Sequence, residues 1–211
     1  MTDDDSGRPN EDLLDRASIA RELGRFSHRT AEFGGLRAAA VAVAVGGPPG
    51  DRRMLLTRRP DRLRAHPGQY ALPGGGVDPG ESTMQACLRE LAEELGIRAE
   101  ETDVLGRLDD YVTRSGYVIT PFVVWVGDYS STLLPSEDEV AEVFEVTVDE
   151  LDVDAQFVSI PESTRPVIRW PYRTGAIHAP TGAIVHQFRE VALHGRHTRV
   201  ADFEQPVFAW R

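Results

Sequence analysis

The chain has 211 residues, 41% of them apolar and 27% charged, which suits one sizeable domain with a buried core. Its formal net charge of -11 argues against a general nucleic-acid binder, which needs a basic stripe to displace counterions. The longest apolar stretch, residues 38–45, is far short of the roughly 18 residues of a membrane-spanning helix, so no membrane partner is expected.

In chain order, residues 1–11 are acidic and polar. They lack a basic n-region and an apolar h-region, so no signal peptide is expected and the tail reads as disordered. Residues 12–25 lead into Phe26 and place Leu13, Leu14, Ile19, Leu23 and Phe26 near helical spacing, which predicts a short amphipathic helix. Tail and helix form a first segment, 1–32; residues 33–211 form the main domain with a C-terminal extension. From Arg37 to Val45 the chain runs into an apolar, Val-rich stretch stopped by Gly46, Gly47, Pro48 and Pro49, as a buried strand would be. Residues 53–58 read as a second strand, completing a hairpin. Glycine and proline crowd residues 60–80, which makes that region a loop.

A helix is predicted from Ser82 to Leu95. Ser82 and Gln85 form a capping box, and Gly96 is a natural residue to end the helix. Cys87, the only cysteine, lies within it and reads as a small core residue. With no second cysteine there is no intrachain disulfide, which fits a reducing cytoplasm. Strands are predicted over 104–113, 117–127 and 139–146. Residues 152–180 are punctuated by proline and receive no element. Strand character resumes over 183–193 and, after a turn at Gly195, continues to Trp210. All 23 basic residues are arginine, which reads first as the coding bias of a GC-rich genome and only second as a taste for phosphate.

On a helical wheel of about 100° per residue, Met84, Leu88, Leu91 and Leu95 form a core-facing stripe. Glu90, Glu93 and Glu94 fall on the other side, at i, i+3 and i+4. Each like-charged neighbour costs the helix roughly 0.2–0.5 kcal/mol, and Glu94 opposes the dipole at the C-terminal end. Three glutamates alone make a solvated acidic face. Behind a glycine-rich loop they also make an oxygen cluster for a hard dication such as Mg²⁺, with Mn²⁺ as the alternative.

Gly75, five residues, Glu81, seven residues, then Arg89-Glu90-Leu91-Ala92-Glu93-Glu94-Leu95-Gly96-Ile97 resembles the complete Nudix box, without departure. The resemblance implies an α/β fold, an α/β/α sandwich with a mixed sheet. It implies hydrolysis of a nucleoside diphosphate linked to another moiety, a small-molecule nucleotide substrate. It assigns Glu90, Glu93 and Glu94 as metal ligands, with the Gly75 carbonyl beside them. One of these three glutamates or a more distant one would be the base, and Glu139 is the candidate for a later acid that joins the metal site. Arg89 would hold a neighbouring carboxylate in place, and Glu81 would support the site from the loop.

Upstream, residues 55–75 resemble the signature of the coenzyme A diphosphatase branch of that family. Leu55, Leu56, Thr57, Arg59, Arg64, Gly68, Pro73, Gly74 and Gly75 stand in register; Pro60 and Leu72 replace the usual Ser and Phe. The candidate substrate-binding residues are therefore Arg58, Arg59, Arg64, His66 and Gly74. Independently, residues 51–64 hold six arginines against two aspartates, a local positive patch suited to a substrate with several phosphates. ADP-ribose, dinucleoside polyphosphates and damaged nucleoside triphosphates remain open as substrates, as does a Nudix-fold sensor that binds without catalysis. Isopentenyl diphosphate isomerases use a catalytic cysteine outside the box, and Cys87 lies inside it. No histidine pair has trusted metal-ligand spacing, and a homodimer is left open.

Overall fold

The computed structural model describes residues 14–62 and 67–210. The expected tail, Leu13, Arg64 and His66 lie outside the described residues. The chain opens with α1 (Arg16–Arg25), whose first amides are capped by the Asp15 carboxylate. Then come β1 (Arg37–Gly46), β2 (Arg53–Arg58), β3 (Tyr70–Ala71), β4 (Gly74–Gly76) and α2 (Thr83–Leu95). Next are β5 (Val104–Arg107), β6 (Tyr111–Val112), β7 (Tyr117–Gly127), β8 (Glu142–Val146) and α3 (Val148–Leu151). The chain finishes with β9 (Gln156–Ile160), β10 (Ser163–Tyr172), β11 (Gly175–His178) and α4 (Thr181–Phe188), the last running on into a π-helical turn over Arg189–Leu193.

β1 is the spine of a mixed sheet. It pairs in parallel with β7 and antiparallel with β2 and β4, while β8 and β3 extend the sheet beyond β2. Alternation along β1 sorts its side chains between two layers. Ala40, Ala42 and Ala44 pack with Cys87, Leu91 and Leu95 of α2. Val43 and Val45 pack on the opposite face with Ile19 and Leu23 of α1 and with Ile184, Val185 and Phe188 of α4. A strand buried on both faces reads as an unbroken apolar run, which is why 38–45 does. The result is the expected α/β/α sandwich with a mixed sheet.

Two expectations need correction. Residues 183–193 are helical, not strand, and residues 194–210 hold a bridge and a short 3-10 turn over Val207–Ala209. Gly182 to Phe188 are all buried, so the helix shows no polar face, and a short apolar run rich in β-branched residues is ambiguous by period alone. The unassigned 152–180 region contains a three-stranded antiparallel sheet in the order β11-β10-β9.

This C-terminal extension is anchored by Glu204. Its carboxylate, 1% exposed, accepts from Arg114, from Arg165 at 2.8 Å and from the Ser163 hydroxyl at 2.9 Å. The Arg114 guanidinium leads in drawing its pKa down to about 2. A folded pKa below the unfolded value means a contribution present above about pH 4.5 and lost as pH falls through about 2. Glu204→Gln should therefore cost about 2 kcal/mol near neutrality, a discounted figure because both arginines are themselves over a third exposed. In urea denaturation the gap between the two proteins should narrow steadily as pH drops below about 5. A gap independent of pH would assign the effect to packing instead.

Candidate active site

The acidic helix is placed by its caps. The Ser82 side chain accepts from the Gln85 amide, and the Gln85 side chain accepts from the Ser82 amide at 2.9 Å, closing the capping box. At the other end Gly96 has φ 71°, the left-handed conformation glycine adopts without strain. Ahead of the helix, β4 lies against β1 with Ala40 opposite Gly75 and Val41 opposite Gly74. A Cβ on Gly75 would collide with the Glu90 carboxylate. The glycine thus lets the acid lie directly against the loop backbone.

The three box glutamates do not share one solvated face. Glu93 is 54% exposed, whereas the Glu90 side chain is 15% exposed and Glu94 is 5% exposed as a residue. The buried side of α2 includes Ala86 and Cys87 together with Leu91 and Leu95, while Met84 and Leu88 are only half-buried. Burial, then the neighbouring Glu90 charge, pushes the Glu94 carboxyl up to about 8. Glu94 accepts from the Gly74 amide, but its Oε2 is buried with no hydrogen-bond partner. Burial also raises Glu90.

Arg89 ties the loop to the helix. Its Nε and Nη2 reach the two oxygens of Glu81 at 3.0 and 3.1 Å. Its Nη1 reaches Glu90 and Glu93, both at 2.8 Å, and Nη2 also donates to the Gly76 carbonyl at 3.0 Å. The i,i+4 pair with Glu93 is thus one arm of a wider hub. The hub holds Glu81 below the ordinary carboxylate range.

Glu139 comes from a turn stitched to the end of α2: the Ser136 amide donates to the Glu94 carbonyl, and the Glu139 amide to the Ser136 carbonyl. The exposed Glu139 is close enough for its charge to raise both Glu90 and Glu94. Among the described residues no group of three metal-ligating side chains closes around one point, since Arg89 draws Glu93 and one oxygen of Glu90 to itself. The unpartnered Glu94 oxygen beside a second buried acid is nevertheless the donor set a hard dication takes.

In front of β4 opens a cleft of about 1120 Å³, lined at one end by Arg59, Tyr70, Leu72 and Gly74–Gly76. The C-terminal extension supplies the other wall, including Ile177, His178, Phe208 and Trp210. The Arg59 charge acts on Glu94. The other described arginines of the patch do not line the cleft. Arg53 pairs with Asp51, Arg62 with Asp138, and Arg58 with Asp61 and Glu142, both at 3.7 Å. Arg52 lies over Trp125. Three of the six arginines, Arg53, Arg58 and Arg62, are thus paired with carboxylates, and Arg58 does not line the cleft. Cys87 is fully buried, and burial raises its thiol to about 12, so it is inert as a nucleophile.

A mixed sheet between helical layers carries an acidic helix packed behind a glycine strand at the edge of the cleft. The chain belongs to the Nudix family: the NUDIX domain model matches residues 36–170, and pyrophosphate-bond hydrolysis of nucleotide-like substrates is the chemistry of that class. It is similar to the "Uncharacterized Nudix hydrolase NudL" of Yersinia enterocolitica, at 37% identity over 147 residues covering 69% of this chain and 71% of that one. Its likeness to "Nudix hydrolase 3" of Caenorhabditis elegans is 37% over 117 residues, 54% of this chain and 49% of the worm protein, so the chain spans about half that relative's length. Among solved structures, the NUDIX hydrolase from Alicyclobacillus acidocaldarius has a TM-score of 0.49 at 19% identity, covering 72% of this chain and 90% of that one.

Proposed function

We propose that the protein hydrolyses the diphosphate of coenzyme A or its thioesters to 3′,5′-ADP and 4′-phosphopantetheine, with Mg²⁺ as cofactor. The observation that supports this reading is that the cleft carrying the upstream signature is walled by the glycine strand against which Glu90 packs. Arg59, Leu72, Gly74 and Gly75 of the upstream signature line the cleft, and the box acids lie directly behind its glycine strand. Leu72, where the resemblance has Phe, is 4% exposed and lines the cleft, so that departure changes the shape of the cleft wall.

Glu90, Glu93 and Glu94, with the Gly75 carbonyl, would hold the cation. When bound, it would neutralise developing charge on the diphosphate and ease deprotonation of the attacking water. Arg59 orients the diphosphate at the glycine loop, and its planar fork suits phosphate oxygens. Glu139, exposed at the site's edge, receives the water proton. Arg89 positions Glu90 and Glu93. A cytoplasmic location is part of the same reading; among the described residues no helix is long and apolar enough to cross a membrane.

The test is mass spectrometry of products after incubation with coenzyme A and Mg²⁺. Appearance of 3′,5′-ADP and 4′-phosphopantetheine is expected. Survival of coenzyme A while ADP-ribose or a nucleoside triphosphate is cleaved would move the substrate to another branch of the family. Survival of all three alongside tight nucleotide binding would point to a sensor.

A further inference from the structure

The cleft has a second cationic position, far from the acids. Arg37 begins β1 and lines the cleft, four residues before Val41, the partner of Gly74. At roughly 3.3 Å per residue the strand separates the two ends by about 13 Å. The Arg37 guanidinium lies over the Tyr117 ring, 3.8 Å from its centroid. Its Nη2 donates to the Ser115 carbonyl at 3.3 Å. Among the described residues it forms no ion pair with a carboxylate.

The nearby arginine is placed differently. Arg114 also lines the cleft, but its charge is taken up by buried Glu204, and Trp210 lies across it with its ring centroid 4.8 Å from the guanidinium. Arg37 is thus a planar cation stacked on an aromatic ring, with donors to spare, lining the same cavity as Arg59. A diphosphate alone needs only the Arg59 end.

We infer that Arg37, stacked on Tyr117, is a distal phosphate subsite that reads a monoester phosphate on the ribose of the substrate's nucleotide half. This rests on the coenzyme A reading, in which that phosphate is on the 3′ carbon. Arginine on an aromatic face keeps its edge donors free for the paired, charge-assisted hydrogen bonds that a terminal phosphate accepts. The subsite explains how one cleft would separate coenzyme A from its dephosphorylated precursor.

The test needs no turnover. Calorimetric titration of the full chain with adenosine 3′,5′-bisphosphate and with adenosine 5′-monophosphate should show the bisphosphate binding about tenfold tighter, the worth of one charged hydrogen-bonded contact. In Arg37→Gln that ratio should fall to about one, with the monophosphate affinity unchanged; Arg37→Lys should retain part of it. Equal affinities in the unmodified protein, a ratio preserved in Arg37→Gln, or no binding of either nucleotide would overturn the inference. Failure to hydrolyse coenzyme A alongside an intact ratio would sink the substrate assignment and leave the subsite standing.

Discussion

Glu94→Gln is expected to lower kcat on the order of a thousandfold while leaving the fold intact. The amide keeps an oxygen to accept from the Gly74 amide and matches the carboxylate in shape. It removes the charge from an oxygen that is buried and has no partner. A negative charge in that position is costly without a cation, so the metal-free variant should melt at or above the temperature of the unmodified protein. Added Mg²⁺ should raise the melting temperature of the unmodified protein, by linkage, and do so far less in the variant. Turnover within about threefold of normal, or an undiminished Mg²⁺ response, would remove Glu94 from the proposed ligand set. The exposed Glu93 would make a poor substitute for this test, because Arg89 already satisfies it.

The layered fold and the site helix were legible for local reasons. β1 is apolar on both faces, and its alanines give α2 room to approach. α2 carries its own start and stop signals in Ser82, Gln85 and Gly96. The burial of Glu94 was not legible, because the wheel sees only one covering surface. The second is the β4 strand and the 134–140 turn, which is tied back to α2 by the Leu134 and Ser136 amides. The arginine patch misled for a related reason. Asp138 and Glu142 are distant in sequence from Arg62 and Arg58, and only strand pairing between β2 and β8 brings them opposite. Helix α4 was hidden because every residue from Gly182 to Phe188 is buried, which erases the periodic signal. Arg37 belongs to no motif; what distinguishes it is its place at the head of the strand that floors the cleft, and the Tyr117 ring brought beside it by parallel pairing with β7.

Arg89→Lys is expected to cost about 1–2 kcal/mol of stability and to lower kcat about a hundredfold with little change in KM. A lysine keeps the charge but replaces a planar fork with a single point. It cannot span both Glu81 oxygens while also reaching Glu90, Glu93 and the Gly76 carbonyl, as the guanidinium does. Arg89→Ala should cost more, about 3 kcal/mol, because three clustered carboxylates lose their shared counter-charge. The kcat effect separates positioning from scaffolding. If Arg89 only pinned the loop, strengthening the fold with osmolyte would restore turnover in Arg89→Lys along with stability. If it orients Glu90 and Glu93, stability returns and kcat does not. The partners give a second control. Glu81→Gln should be less than additive with Arg89→Lys in stability, since both break the same bidentate pair. Full additivity would show that Glu81 and Arg89 act independently, and the loop would then need another tie to the helix.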